Sequence, residues 1–277
     1  MKTSTDRDER ATGTGRSEPA LKGVRRAFDV LEHIAASPGR ATDIAAALGV
    51  SWATLHRTLN QLEADGFLAR DPDTLRYTIG ARLWYVGTAY LSDHPILEVA
   101  RPYLEAADTI KGSDSGYTVQ LTERSGRQAV TLYSRHKPGE EITKATYGFH
   151  FPLHCGAKAQ VLLAYAGEDF IEAYLPGDLE ALTAETITEP GALRAKLAKI
   201  RADGYAITEG DVQTFTGSVA TPVIGRHQDV VASVCFIFRR SVLRDEGATA
   251  RLVEHAMHTA QLISSALGWK PDLRAAP

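Results

Sequence analysis

The stretch from Arg40 to Gly80 limits what this chain can fold into more than any other part of the sequence. Its middle carries leucines at i, i+4 and i+7, the spacing of one apolar helix face, and these are Leu55, Leu59 and Leu62. Ser51 precedes them as the expected N-cap, its hydroxyl accepting from amides two or three residues on. Residues 40–50 predict a shorter helix that ends at Gly49. Two helices joined by a tight turn, the second apolar on one side only, predict a helix-turn-helix.

The polar face of the second helix predicts a nucleic-acid contact surface. Its side chains that can contact phosphates or base edges are Trp52, Thr54, His56, Arg57 and Asn60. Downstream, Phe67–Arg70 and Leu75–Ile79 flank a turn and predict a two-stranded ribbon, from which Arg76 is expected to contact the DNA backbone. Together they predict a winged helix-turn-helix with one helix in the major groove of double-stranded DNA. A three-helix core with a decorative hairpin is the alternative.

The overall charge does not decide between these two interpretations. The 277 residues carry a net charge of −3, with 31 Lys and Arg against 34 Asp and Glu. Affinity for phosphate depends on local positive charge, and arginines recur through the first third of the chain. The two cysteines are too few for a disulfide framework, and no apolar run approaches the roughly 18 residues of a membrane span. We therefore expect a cytoplasmic protein that does not enter the membrane.

Composition and periodicity predict two domains, a connecting helix and two tails. The expected segments are a disordered tail at 1–20, the winged domain at 21–79, a linker helix at 80–93, a second domain at 94–270 and a C-terminal tail at 271–277. In the second domain the expected strands are 117–122, 129–133, 218–224 and 230–238, and the expected helices are 94–110, 155–165, 190–203 and 242–267. This order predicts an α+β fold with a mixed or antiparallel sheet flanked by helices.

Two N-terminal helices carry apolar residues that need partners. The first helix is expected to pack behind the helix-turn-helix through apolar positions at helical spacing, namely Leu21, Val24, Phe28, Leu31 and Ile34. The linker helix has little core of its own to enter, yet it contains Trp84, Tyr85 and Tyr90. Its aromatic residues therefore predict a self-association surface.

A candidate ligand site lies where a helix is expected to begin at Cys155. Free amides and the helix dipole at such an N-terminus favour a carboxylate, and the small residues Gly156 and Ala157 let it approach. Lys158 either adds a positive charge or is a solvated residue on the helix surface. Asp211 is expected in the loop before the inner strands, where it adds an acidic group. The sequence thus predicts an anion site that an acidic loop borders.

The order and spacing of these pieces resemble the IclR (isocitrate lyase regulator) family of bacterial transcription regulators. The resemblance runs from about Leu21 to Trp269, and its better-matching pieces are Leu21–Ala27, Thr54–Arg57, Arg76–Gly80, Pro152–Cys155 and Gly204–Ala206. It implies a DNA-binding homodimer or dimer of dimers (a homotetramer), acting as repressor or activator, and a dimer would read a palindromic operator. It also implies a GAF-like C-terminal domain that binds a small effector, commonly an organic acid.

The resemblance carries several pocket positions over to this chain, namely Ala157, Lys158, Glu209, Ser218, Cys235 and Ile237. The chain also departs from the family pattern, since Ala159–Gln160 replace a Gly-Lys pair and Ser218 replaces a cysteine. Phe236 and Phe238 alternate with Cys235 and are expected to face the other side of the sheet. The resemblance favours a small carboxylate without identifying it.

Two other functions fit the residues. An enzyme would use Cys155 at the helix N-terminus as a nucleophile with thiolate character beside His154, or bind a metal through His150 and His154. Pro152 interrupts that histidine pair, no third orienting group accompanies Cys155, and no Cys-x-x-Cys or His-Glu-x-x-His motif is present. No catalytic residue, metal or cofactor is therefore predicted. An oligomeric binding protein with a vestigial pocket is the second alternative.

Overall fold

The computed structural model describes residues 18–107, 116–136 and 150–270, which divide into two compact units between Ser92 and Asp93. Residues 1–17 and 271–277 of the predicted tails, and the predicted end of a helix at 108–110, lie outside the described residues. Within the described ranges, no helix combines the length and the apolar character needed to cross a membrane.

The N-terminal unit packs helices on a small antiparallel sheet. Its elements are α1 (Glu18–Ala36), β1 (Gly39–Arg40), α2 (Ala41–Leu48), α3 (Trp52–Ala64), β2 (Leu68–Arg70), β3 (Arg76–Ile79) and α4 (Ala81–Ser92). The predicted ribbon is confirmed, since β2 pairs with β3. The strand order is β1-β3-β2, so a third strand that was not predicted adds to it. The extra strand forms because Gly39 pairs with Tyr77 while the Arg76 guanidinium donates to the Pro38 carbonyl. A two-residue strand is too short for its sequence pattern to predict.

The core of the N-terminal unit confirms the leucine stripe of α3 and corrects the prediction for α1. The buried residues are Val30, Ile34, Ile44, Leu55, Leu59, Leu68 and Tyr77, and Leu62 packs against them. On α1, however, Val24 and Phe28 are 53% and 57% exposed. The helix begins at Glu18, before the predicted start, and carries two apolar stripes. Only the stripe containing Val30 and Ile34 faces this core, so the predicted packing of Val24 and Phe28 is wrong.

The C-terminal unit is an antiparallel sheet between two layers of helices. Its helices are α5 (Pro95–Ala106), α6 (Ala157–Ala164), α7 (Glu168–Tyr174), α8 (Pro190–Asp203) and α9 (Glu246–Ala266). Its strands are β4 (Tyr117–Ser125), β5 (Gln128–His136), β6 (His150–Pro152), β7 (Ala206–Glu209), β8 (Thr216–Ile224) and β9 (Val230–Arg239). They are ordered β6-β5-β4-β9-β8-β7, and every pairing between them is antiparallel. The α+β prediction is confirmed, while α7, β6 and β7 were not predicted.

The predicted closing helix starts later than expected. A 3₁₀ turn occupies Arg240–Arg244, and α9 begins after Asp245 because that side chain accepts from the Ala248 amide at 2.9 Å. An aspartate in this position satisfies an amide that the first helical turn leaves unpaired.

The two faces of the sheet carry different layers, and the division positions the candidate ligand site. Every residue of α6 is buried, since α6 lies between the sheet and α8. On the opposite face Phe236 packs against His255 of α9, with ring centroids 5.3 Å apart. Cys235 belongs to the α6 side, which confirms that Phe236 and Cys235 face opposite layers.

Candidate functional site

The exposed face of α3 carries the predicted DNA-contacting side chains in an ordered row. Trp52 is 53% exposed, and His56, Arg57 and Asn60 are exposed as well, whereas Thr54 is half-buried. The Trp52 and His56 rings lie 5.4 Å apart, and Asn60 Nδ2 donates to His56 Nδ1 at 3.2 Å. These i, i+4 contacts connect three side chains along one face. Arg57 has no ion pair with any described residue, so its guanidinium can engage phosphate or a base.

Ser51 stands at the N-cap of α3, but its hydroxyl does not form the predicted bond. The Ser51 carbonyl accepts from the Leu55 amide at 3.0 Å, as a helix start requires. The Ser51 hydroxyl instead donates to the Thr54 hydroxyl at 2.9 Å, and no side chain among the described residues caps the first amides. The predicted hydroxyl cap is therefore wrong, because a nearer side-chain acceptor competes for it. The uncapped amides at this end of α3 are suited to a DNA phosphate.

The wing presents its arginines from a well-ordered turn. Asp71 Oδ1 accepts from the Asp73 and Thr74 amides at 3.0 and 2.7 Å, and these bonds lower the pKa of Asp71, with the Thr74 amide as the largest cause. Arg40 Nε donates to the Thr74 carbonyl at 3.0 Å. Arg76 is exposed, although its guanidinium already donates to a backbone carbonyl. Its remaining donors are available to the DNA backbone.

A cavity of about 510 Å³ in the C-terminal unit brings together most of the predicted ligand residues. The predicted residues that line it are Ala157, Lys158, Asp211, Ser218, Cys235 and Ile237. Cys155 is fully buried away from the cavity wall, with its thiol 3.9 Å from the Glu180 carbonyl. Glu209 is exposed and pairs with Arg240 Nε at 2.6 Å, also off this wall. The structure therefore places six of the eight predicted residues around one cavity.

Lys158 is buried rather than solvated, which corrects one reading of the sequence. The residue is 5% exposed. Its Nζ donates to Gln120 Oε1 at 2.6 Å and to Thr131 Oγ1 at 2.9 Å, and lies 4.3 Å from the centre of the Phe151 ring. Burial lowers the pKa of Lys158 to about 8, because desolvation disfavours the charged amine. No described carboxylate pairs with it.

The N-terminus of α6 is already occupied by a carboxylate of the protein itself. Asp211 Oδ2 accepts from the Gly156 amide at 2.9 Å and from Gln160 Nε2 at 3.4 Å. Asp211 is 6% exposed, and burial raises its pKa. The sequence prediction of a ligand carboxylate at this helix end needs correction, because Asp211 fills that position and would repel a second anion.

The strand register brings Gln120 and Cys235 of the sheet to the cavity wall. Gln120 of β4 is opposite Cys235 of β9, which in turn is opposite Ala220 of β8. Cross-strand neighbours share one face of a sheet, so the three side chains all point toward α6. Gln120 was not predicted as a site residue. The alternation of Thr118, Gln120 and Thr122 with apolar residues was the available signal, since a strand buried on both faces is usually apolar throughout.

The Cys155 and His154 pair does not form a nucleophilic site. Burial is the largest of the causes that raise the pKa of Cys155 to about 12, so the expected thiolate character is wrong. His154 Nε2 lies 2.9 Å from the Glu180 carbonyl, and Nδ1 lies 2.9 Å from the Tyr174 hydroxyl. A carbonyl only accepts, so Nε2 donates to it and Nδ1 accepts from Tyr174. Both ring nitrogens are thereby engaged away from Cys155.

A larger groove of about 700 Å³ runs along α9 but has a different character. The carboxylate and imidazole side chains along it, Glu246, Glu254 and His258, are exposed. The cavity at Lys158 is the better ligand site because buried polar groups converge on it.

Comparison with known proteins matches each part of the chain to a family domain. Residues 23–72 match the family model described as the IclR helix-turn-helix domain, and residues 88–265 match the bacterial transcriptional regulator IclR C-terminal. The DNA-binding transcriptional repressor YiaJ of Escherichia coli (strain K12) is 30% identical over 82% of this chain and 81% of its own length. The HTH-type transcriptional regulator XynR of the same strain is 27% identical over 91% of this chain and 99% of its own length.

Solved structures show the same fold. An IclR transcriptional regulator from Alicyclobacillus acidocaldarius has a TM-score of 0.72 and 25% identity, covering 90% of this chain and 99% of that chain. An IclR homologue from Microbacterium hydrocarbonoxydans, complexed with 4-hydroxybenzoate, has a TM-score of 0.71 and 24% identity, covering 89% of this chain and 99% of that chain. With the helix-turn-helix, the C-terminal sheet and both family matches in agreement, this chain belongs to the IclR family of DNA-binding bacterial transcription regulators.

Proposed function

We propose that this regulator binds a small carboxylic acid in the cavity at Lys158, and that binding changes its affinity for operator DNA. The observation that carries the proposal is the buried amine of Lys158, which lines the cavity with no described carboxylate as its partner. An unpaired charge in a low-dielectric site is unfavourable, and a ligand carboxylate would supply the missing counter-charge. Ser218 and Cys235 line the same wall and would bound the ligand.

The proposal places the ligand anion at Lys158 rather than at the N-terminus of α6. Asp211 already accepts from the Gly156 amide at that helix end. A ligand carboxylate would therefore avoid Asp211 and pair with the only cation on the described cavity wall. This assignment makes Lys158 the residue whose removal tests the proposal.

The acid would act by favouring one arrangement of the regulator over another. A ligand shifts a conformational equilibrium only as far as its affinities for the two states differ. We propose that the DNA-competent arrangement is a homodimer, or a dimer of dimers, on a palindromic operator in the cytoplasm. The aromatic residues of α4 support self-association, since Trp84, Tyr85 and Tyr90 are 70%, 76% and 51% exposed. None of the α4 residues is buried in the described chain.

Calorimetric titration of a panel of acids tests the ligand half of the proposal. The panel holds benzoate, pyruvate, succinate and 4-hydroxybenzoate, the ligand of the Microbacterium homologue, whose 24% identity supports only the shared fold. The wild type should bind at least one acid, and Lys158→Met should weaken that binding at least about tenfold, as loss of a buried charge-assisted contact does.

The matched control is Lys199→Met on α8, because Lys199 is exposed and pairs with Asp203 at 2.7 Å outside the cavity. This variant should bind the acid as the wild type does. The proposal would be refuted if no acid bound the wild type, or if Lys158→Met bound the acid as tightly as the wild type.

A further inference from the structure

The cavity at Lys158 has polar groups at two separate places, one that donates hydrogen bonds and one that accepts them. The first is the amine of Lys158, which hydrogen-bonds to strands β4 and β5 through Gln120 and Thr131. The second is built by the loops at 180–182 and 211–213, which bring Glu180, Asp211 and Gln213 to the wall. These loops offer oxygen acceptors, whereas Lys158 only donates.

The sheet order separates these two places. Gln120 is on β4, and Asp211 and Gln213 lie directly before β8, two strands away across β9. Neighbouring strands are about 4.8 Å apart, so β4 and β8 lie roughly 10 Å apart across the sheet, which leaves room for a ring or a short carbon chain between groups held by the two strands. Cys235 lies on β9, the strand between β4 and β8, and also lines the cavity.

Gln213 contributes a hydrogen-bonding atom that the described chain leaves unused. Gln213 Oε1 is buried and has no hydrogen-bond partner among the described residues. A buried acceptor without a partner is unfavourable, so such atoms in native proteins usually mark a water or ligand position. Asp211 differs, because Oδ2 is already engaged by the Gly156 amide. The unused acceptor of Gln213 is therefore the atom best placed to recognise a ligand donor.

We infer that the effector is a carboxylic acid with a hydrogen-bond donor, a hydroxyl or an amino group, at the end away from its carboxylate. The carboxylate pairs with Lys158, and the donor binds Gln213 Oε1 beside Asp211. The inference rests on the proposed function, because it deepens the choice of ligand for the same cavity. It makes Gln213 a specificity-determining residue: a site with an unused acceptor discriminates against analogues that lack the donor.

Matched pairs of acids test the inference on the full-length protein. The probes are benzoate against 4-aminobenzoate, and cyclohexanecarboxylate against its trans-4-hydroxy derivative, titrated by calorimetry. In at least one pair the acid with the donor should bind about tenfold or more tightly than its parent. Gln213→Leu should reduce that ratio to near one. Gln128→Leu, the same substitution on the β5 side of the wall, should retain the ratio.

Each outcome separates the inference from the proposal beneath it. Equal affinities within both pairs would overturn the inference and leave the carboxylate site at Lys158 standing. A donor preference that survives Gln213→Leu would also overturn it, since another group would then read the donor. Binding of pyruvate or succinate with no binding by these four acids would overturn the inference and leave the proposed function standing. Absence of binding by every acid of both sets would remove the two together.

Discussion

Replacing Lys158 with Met should change how the stability of the C-terminal unit depends on pH. Desolvation lowers the pKa of Lys158 from its usual 10.5 to about 8, and the residue is 5% exposed. A difference of roughly 2.5 pH units corresponds to about 3 kcal/mol between the protonated and neutral forms. Below about pH 8 the amine of Lys158 is protonated in the folded protein, and this difference then destabilises the folded state.

The sign of the effect follows from which state holds the proton more tightly. Between about pH 8 and 10.5 the unfolded chain still binds the proton that the folded chain has lost. The free energy of unfolding therefore rises with pH across this window. Between pH 7 and 10.5 the free energy of unfolding of the wild type should rise by up to about 3 kcal/mol relative to that of Lys158→Met. Groups that titrate alike in both proteins cancel in this difference.

Urea unfolding at several pH values measures this difference. Trp52→Phe and Trp84→Phe in both proteins leave Trp269 as the fluorescent reporter of the C-terminal unit. Lys199→Met is the control: Lys199 is exposed and its hydrogen bond with Asp203 raises its pKa, so this variant should show no such rise. A constant difference between wild type and Lys158→Met from pH 7 to 10.5 would refute the reasoning, because it would mean that the amine is hydrated.

Three further predictions concern other parts of the chain. Arg57→Ala should weaken operator binding in a gel-shift titration and leave the affinity for the acid intact. If Arg57 contacts a phosphate, the slope of log affinity against log salt concentration should also fall by about one. Loss of both DNA binding and acid binding would argue against separable domains. Tyr85→Lys places a charge on a residue that is 76% exposed and should shift the sedimentation coefficient toward the monomer, whereas an unchanged coefficient would exclude this surface from the dimer. Cys155 and Cys235 are buried, and burial is the largest cause that raises the pKa of each thiol to about 12, so iodoacetamide at pH 8 should label them only after urea unfolding. Rapid labelling of the folded protein, read by mass spectrometry, would contradict that burial.

The helix-turn-helix could be predicted because its determinants are local. The spacing of Leu55 and Leu59 predicts which side of α3 is buried, and both residues are in the core of the unit. The same rule was wrong on α1, because Val24 and Phe28 also follow helical spacing. Periodicity identifies an apolar stripe, but it does not determine which of two stripes the rest of the fold covers.

The ligand site was predicted less completely because its environment is assembled from distant residues. The buried amine of Lys158 donates to Gln120, which lies 38 residues earlier in the chain. The amide of Gly156 is occupied by Asp211, 55 residues later. From sequence alone, a lysine in the first turn of a helix is indistinguishable from a solvated one. The strand order brings Gln120 and Asp211 to the same cavity, and no local pattern contains that order.

Fluorescence anisotropy on DNA from upstream of the protein's own gene tests the central claim most directly. The labelled DNA is titrated at two salt concentrations, with and without the acid panel, using the wild type and Lys158→Met. We expect tight, salt-sensitive binding by both proteins, and one acid that strengthens or releases only the wild-type complex. The claim that the cavity at Lys158 controls DNA binding would be contradicted by either of two results. One is a wild-type affinity for DNA that no acid changes, and the other is an acid response that persists in Lys158→Met.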